Sequence, residues 1–388
     1  MKKKIVILGS TGSIGKTTVE IIKNDIKHFN VILLTTNKNL NEILKQAKKL
    51  KPKNLVINNF KHYINLKKKL RNNKIKIYNS FQDFNKKYKK KVDYTMCAIS
   101  GLSGLKPTLD AIKFSKNIAI ANKESLICGW NLIEKSLKKN NTKFIPVDSE
   151  HFSIMNLLSN LGNNEVEKIL ITASGGPFLN LPLSKFKNIK PKNAIKHPNW
   201  KMGKKISIDS ATLMNKVFEV IEAKKIFNID LKKFKIVVHP KSYVHAIVKF
   251  KNGLTKILIH DTDMKIPIFN SIYTNHKKNL LSKNINFNFL NNLDFRKVDI
   301  KKFPSINLIK KIPTKNSLFE TVVVSANDEL VNLFLQNKIK FNDIFYNLNK
   351  ITNLKKLSIY KDKSPKNFNQ IYELSKYVRL KTRSLSIL

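Results

Sequence analysis

From its first residues to about residue 148 the chain alternates short apolar runs with amphipathic stretches of helical period. The runs are Ile5 to Leu8, Val31 to Thr35, Leu55 to Ile57, Ile75 to Tyr78, Tyr94 to Ala98, Ile118 to Ala121 and Phe144 to Val147, with lysine-faced stretches such as NEILKQAKKLK between them. This βαβα rhythm predicts an α/β fold: a Rossmann-like, doubly wound and mostly parallel sheet with helices on both faces. The first run feeds the turn GSTGSIG, in which Gly9, Gly12 and Gly15 recur every third residue, and Thr17 to Ile22 return to a helical pattern. A strand, a glycine turn and a helix make either a phosphate site, because the backbone can approach a pyrophosphate and the helix N-terminus favours negative charge, or an ordinary tight turn.

After residue 148 the pattern changes. The stretch 149–272 carries denser turn signals around KILITAS, KIVVHP, AIVKF and TKILIHD, and predicts a central α+β domain. Residues 273–298 are rich in Asn and Lys and read as a connecting segment, and 299–388 read as a C-terminal helical bundle. The formal net charge of +48 raises nucleic acid as a partner. However, the lysines are spread through the chain, far outnumber the arginines, and travel with Asn, Ile and Phe, as in KNLLSKNINFNFLNNL. That is the imprint of A/T-rich codons, whereas a binding stripe would be focused, with arginines and aromatics among the lysines. No apolar run reaches membrane-spanning length. Met1-Lys-Lys-Lys before IVILG is too short an apolar region for a signal peptide, and two cysteines, Cys97 and Cys128, make neither a metal pattern nor a disulfide framework. The expectation is a cytoplasmic protein with no nucleic-acid or membrane partner.

Several stretches can carry chemistry. Where a dinucleotide site selective for NAD has an acidic residue after its second strand, this chain reads LLTTNKNL, with Lys38 and no carboxylate, which favours NADP. In FIPVDSEHFSI, a strand over 144–149 would point Asp148 and Glu150 the same way, a pairing suited either to a hard divalent ion such as Mg²⁺ or Mn²⁺ or to an exposed acidic turn. In DSATLMNKVFEVIEA, helical spacing puts Asn215, Lys216 and Glu219 on one face with Ser210 near the start: groups for a phosphate, with a carboxylate one turn on for a metal. Glu222 reads as solvated. Ser174-Gly175-Gly176 forms either an anion-binding nest or a simple turn. Trp200, near His197 and Met202, is either a core plug or a lid over a substrate. Lys123, after IAIA at the carboxyl edge of the sheet, can stabilise an oxyanion. His239 and His245 are further candidates, more commonly structural in such a setting.

Taken in order, GSTGSIG, NKES, VDSEH, SGGPF, HPNWKMG and ISIDSATLMNK with Glu219 resemble the 1-deoxy-D-xylulose 5-phosphate reductoisomerase family over essentially the whole chain. The resemblance implies an NADPH-binding domain (1–148), a catalytic and dimerisation domain (149–272) with a mobile loop at about 174–204, the connection (273–298) and a C-terminal helical domain (299–388), assembled as a homodimer. It implies one Mg²⁺ or Mn²⁺ held by Asp148, Glu150 and Glu219, and a catalytic set of these three with Lys123 and His197. Ser174, Ser210, Asn215 and Lys216 would take the substrate phosphate, and Ser149 and Lys123 would face its hydroxyl and carbonyl end. His197, Trp200 and Met202 would belong to the closing loop. Thr11, Gly12, Ser13, Ile14, Lys38, Asn39, Asn122, Glu124, Met202 and Gly203 would line the cofactor. The implied reaction is a skeletal rearrangement of 1-deoxy-D-xylulose 5-phosphate, most simply by retro-aldol cleavage and re-addition, followed by hydride delivery from NADPH to give 2-C-methyl-D-erythritol 4-phosphate, an isoprenoid precursor.

Some stretches depart from the family pattern. TTNKN lacks a glycine before Lys38, HPKSYVH has Lys241 and Tyr243 where Gln and Val are usual, DMKIPI has Lys for Arg with a degraded NHKK after it, and VVVSANDELV keeps only part of an Asn-Ala-Ala-Asn-Glu signature. These changes spare the metal and phosphate candidates. The competing readings are an NADP-linked, metal-assisted oxidoreductase of another phosphorylated polyol, an inactive descendant of the enzyme, and a basic nucleic-acid-binding protein on an old enzyme fold.

Overall fold

The computed structural model of the chain describes residues 1–388 other than 160, 201, 275–277 and 388. Lys201 of HPNWKMG and positions 275–277 of NHKK therefore lie outside the described residues. All seven strands expected before residue 148 are present: β1 (Lys3–Leu8), β2 (Phe29–Thr36), β3 (Asn54–Ile57), β4 (Lys76–Tyr78), β5 (Val92–Cys97), β6 (Ser115–Ile120) and β7 (Lys143–Pro146). They form one parallel sheet in the order β4-β3-β2-β1-β5-β6-β7. Its central strands are continuous apolar runs because helices cover both faces, and Ile5, Val6, Ile7 and Leu8 are all fully buried. The strand order reverses beside β1, so the glycine turn leaves the sheet at the switch point where ligands of doubly wound folds bind.

The helices used below are α1 (Ser13–Asn24), α2 (Leu40–Leu50), α3 (Lys123–Asn140), α4 (Ser149–Leu157), α5 (Lys204–Ala211), α6 (Met214–Phe227), α7 (Lys265–Ile272), α8 (Phe319–Leu335), α9 (Phe341–Thr352) and α10 (Phe368–Ser386). The chain divides into two compact units. The first comprises Met1–Ser125, Leu132–Asp148 and Met264–Leu280, and so includes the parallel sheet and α7, which rests on α1. There the Tyr94 hydroxyl meets the Ser271 hydroxyl at 2.7 Å, and Lys3 Nζ donates to the Ile272 carbonyl at 2.5 Å.

The second unit comprises Leu126–Asn131, Ser149–Asp263 and Leu281–Leu388. Its mixed sheet joins β8 (Val166–Ala173), β9 (Phe234–Val238), β10 (Val244–Phe250), β11 (Thr255–Ile259) and β12 (Arg296–Lys297) in the order β11-β10-β8-β9-β12. The first four were legible in the sequence; the two-residue β12 was not. Ile154 of α4 and Val220 and Phe227 of α6 pack with Ile169, Ile171, Val248 and Phe250 of the sheet in one core. Helices α8, α9 and α10 form the C-terminal helical part of this unit.

One local expectation is corrected. The run 144–149 is not a strand that carries Asp148 and Glu150 on one face: β7 stops at Pro146 and α4 begins at Ser149. Proline cannot donate to a continuing ladder, and an acidic residue in the first turn of a helix is favoured by the dipole, so the chain turns from strand to helix between the two carboxylates.

Candidate active site

In the first unit, the turn after β1 is built to hold α1 against the strand. A Cβ at Gly15 would lie 2.2 Å from the Gly9 carbonyl oxygen, so no side chain fits there. Gly12 and Ser13, at the start of α1, are exposed, and α1 has no side-chain cap, which leaves its first N–H groups available to an anion. Thr11 is held by its hydroxyl against that of Thr36 at 2.7 Å, and Ile14 is half-buried. Lys38 is exposed beyond β2, and Asn39 caps α2 by accepting the Glu42 N–H at 3.1 Å.

At the far side of the same sheet, Asn122 caps α3, accepting the Ser125 N–H at 2.9 Å and donating to the Gly101 carbonyl at 2.6 Å. Its side chain is thus committed to the protein. Lys123 and Glu124 follow in the first turn, and the Lys123 ammonium is ion-paired with Asp148 at the end of this unit.

The second unit gathers most of the remaining candidates. On α4, the Ser149 hydroxyl donates to Glu150 at 2.5 Å. On α6, the Lys216 ammonium binds Glu150 and also Glu219, the latter at 2.7 Å, while the Asn215 amide donates to Glu219 at 2.5 Å. Glu219 is 1% exposed. Burial opposes the charge on Lys216, but the two carboxylates outweigh it and raise its pKa above the usual lysine value. Two buried carboxylates that need a cation between them have the donor chemistry of a hard divalent ion site.

Sequence reasoning missed the layer behind these groups. His151 Nε2 meets the Glu219 carbonyl at 2.9 Å and its Nδ1 lies 3.6 Å from Glu222. Glu222 is therefore not solvated: α6 is buried on almost every face, and both Glu219 and Glu222 are inside. Spacing alone could not reveal a helix covered on all sides.

The segment before α5 brings Ser174 and His197 together. Their side chains meet at 3.0 Å, and the Ser174 hydroxyl also accepts the Gly176 N–H at 3.1 Å. Gly176 has φ +66°, and a Cβ there would come within 2.8 Å of the Ser210 carbonyl oxygen, so the glycine lets the turn lie against Ser210. His197 Nδ1 accepts the N–H groups of Asn199 at 3.1 Å and Trp200 at 3.0 Å. The ring proton is therefore on Nε2, donated to Ser174, which leaves the Ser174 hydroxyl hydrogen for another acceptor. Trp200 stands edge-on to His245, ring centres 6.1 Å apart. Met202 is half-buried and Gly203 exposed just before α5. Asn199, not singled out in the sequence, ties the loop down through Pro240 at 2.7 Å and Ser242 at 2.8 Å.

Burial, with the charge of Lys216 added, lowers the His197 pKa to about 4 from 6.5. The unfolded chain would take up a proton here that the folded one refuses, so this group subtracts stability as pH falls from 6.5 toward about 4 and has no effect above. In an NMR titration the His197 ring signals should move near pH 4. Movement near 6.5 would contradict the neutral, Nε2-protonated ring.

A parallel dinucleotide-type sheet, followed by a unit with its own carboxylate and phosphate-ready groups, places the chain among the nicotinamide-dependent oxidoreductases. Family models narrow this. Residues 5–129 match the 1-deoxy-D-xylulose 5-phosphate reductoisomerase domain, 144–227 match that enzyme's C-terminal domain, and 259–381 match the DXP reductoisomerase C-terminal domain. A 1-deoxy-D-xylulose 5-phosphate reductoisomerase of Pelagibacter ubique (strain HTCC1062) is 58% identical over 99% of this chain and 100% of its own length. The enzyme from Zymomonas mobilis, solved in complex with NADPH, superposes with a TM-score of 0.89 at 32% identity, covering 100% of this chain and 99% of the other. A DOX-P reductoisomerase in complex with NADPH, fosmidomycin and magnesium gives a TM-score of 0.89 at 29% identity, covering 98% of each chain. The chain belongs to the 1-deoxy-D-xylulose 5-phosphate reductoisomerase family.

Proposed function

We propose that this chain converts 1-deoxy-D-xylulose 5-phosphate to 2-C-methyl-D-erythritol 4-phosphate with NADPH and a divalent metal ion, Mg²⁺ or Mn²⁺. The observation that carries the reading is the convergence of Glu150 and Glu219 on Lys216, beside Asn215, in a chain of this family. We assign the metal to Asp148, Glu150 and Glu219. Glu150 and Glu219 already share one cation, and Asp148 is joined to Glu150 through Ser149 alone. The ion would act as a Lewis acid on adjacent substrate oxygens.

The protein's own groups do the rest. Ser174, Ser210, Asn215 and Lys216 take the phosphate, and holding that end fixes the register of an otherwise flexible sugar. Neutral His197 keeps the Ser174 hydroxyl hydrogen aimed away from itself, toward an anion. Lys123 supplies positive charge and Ser149 a hydroxyl at the carbonyl end. His197, Trp200 and Met202 belong to a loop that closes over the substrate and excludes water. Thr11, Gly12, Ser13, Ile14, Lys38, Asn39, Asn122, Glu124, Met202 and Gly203 line the NADPH site, with Asn122 contributing through its backbone because its side chain is engaged. We retain the division into cofactor (1–148), catalytic (149–272) and C-terminal helical (299–388) parts as a functional one.

Electron paramagnetic resonance of Mn²⁺ tests the ligand set without turnover. Glu219→Gln should weaken Mn²⁺ binding by at least about tenfold, one lost charged ligand being worth more than 1.4 kcal/mol. Unchanged binding would remove Glu219 from the set. We also propose a homodimer: β11 is an edge strand of the second sheet, with Ile257 exposed on it and Leu254 exposed just before it. Among the described residues no helix is long and apolar enough to cross a membrane, and Cys97 and Cys128 are both buried; we propose a cytoplasmic location.

A further inference from the structure

Ser210, Asn215 and Lys216 lie on either side of one tight connection between α5 and α6. That connection runs through Leu213 at φ +58°, a left-handed conformation that a side-chain-bearing residue rarely adopts. Such a turn persists only where its surroundings fix it. Part of the fixing is local: the Ser305 hydroxyl donates to the Thr212 carbonyl. Further contacts to both helices come from α8, which contributes no residue to the candidate site itself.

Two side chains of α8, two helical turns apart and each 0% exposed, grip the two helices separately. Glu320 binds Lys225 of α6 at 2.8 Å. Asn327 Nδ2 donates to Asp209 Oδ1 of α5 at 2.8 Å. Asp209 is the residue before Ser210. Burial raises its pKa, and its two oxygens are held by partners that oppose the rise: Asn327 on one and Lys205 on the other, at 2.9 Å. Lys205 also reaches Asp328 at 3.0 Å, which Arg379 of α10 binds at 2.5 Å, and Arg383 binds Glu329 at 2.7 Å. The acidic and amide residues of SANDE thus all face partners.

We propose that Asn327 is a positioning residue for the sugar phosphate. By holding Asp209, it sets where the end of α5 presents Ser210 relative to Asn215 and Lys216. This rests on the phosphate reading above.

The test uses the full-length enzyme with NADPH and Mg²⁺, and inorganic phosphate as a competitive probe against the sugar phosphate. Ser210→Ala serves as the control for the phosphate reading. Asn327→Ala should raise both the KM for sugar phosphate and the inhibition constant for phosphate about tenfold, while the KM for NADPH stays within about twofold. Asn327→Asp, which sets two carboxylates against each other, should do more. The swap Asp209→Asn with Asn327→Asp restores an amide-to-carboxylate hydrogen bond in the opposite direction, and should bring both constants back to within about threefold of the parent. If Asn327→Ala does not fold, Asn327→Ser and the swap decide on the same readouts. An unchanged phosphate constant in the Asn327 variants, with a raised one in Ser210→Ala, overturns the proposal alone. Parallel loss of NADPH and sugar-phosphate affinity without recovery in the swap reduces Asn327 to a structural residue. No effect of Ser210→Ala on phosphate removes the phosphate reading and the proposal with it.

Discussion

Glu150→Gln should yield a folded protein that binds NADPH normally and turns over the sugar phosphate at least about a thousandfold more slowly. The substitution keeps size and hydrogen-bonding capacity and removes one negative charge from the group that Lys216 now neutralises. Folding survives because Lys216 retains Glu219 and Ser149 can still donate to the amide oxygen. Catalysis does not, because charge stabilisation by a metal ion contributes several kcal/mol to the transition state and each 1.36 kcal/mol is tenfold in rate. Steady-state kcat and Mn²⁺ affinity measured together check this. A kcat within tenfold of the parent would mean that Glu150 is not a metal ligand.

Lys225→Met should be the most damaging single change to stability. Lys225 and Glu320 form a buried ion pair, with Asn316 accepting from the ammonium at 2.7 Å and Ser317 donating to the carboxylate. Removing the lysine strands a buried carboxylate, a loss of about 3–5 kcal/mol. For a protein of this size that is a fall in Tm on the order of 10 °C. The pair joins α6 to α8, so the loss falls on the helix that carries Asn215, Lys216 and Glu219. Lys225→Met with Glu320→Leu should recover most of the lost stability, since an apolar pair of similar volume replaces a buried ion pair at little cost. Differential scanning calorimetry of the two variants decides the matter; a single mutant within about 2 °C of the parent contradicts the argument.

Period-two and continuous apolar runs mark strands because the sheet faces are buried. For that reason the seven strands of the first sheet, and β8 to β11 of the second, could be read from residue order. The local part of the site was legible for a similar reason: Asn215, Lys216 and Glu219 are neighbours on one helix whatever surrounds it. Long-range pairings were not legible. Nothing in VDSEH announces that Lys216, far along the chain, is the partner of Glu150, nor that His151 lies against Glu222. Glu222 looked solvated because a charged residue near the end of an amphipathic pattern usually is, whereas α6 is enclosed on nearly all sides. The strand-to-helix turn at Ser149 was hidden by the apolar run FIPV before it, which reads as a strand that could run on.

The most direct measurement is the consumption of NADPH by the purified protein given 1-deoxy-D-xylulose 5-phosphate and Mg²⁺, run beside NADH and EDTA, with the product identified by mass spectrometry. The expected result is oxidation that prefers NADPH, stops when EDTA removes the metal, and yields 2-C-methyl-D-erythritol 4-phosphate. A folded protein that binds NADPH yet oxidises none of it with this substrate would contradict it.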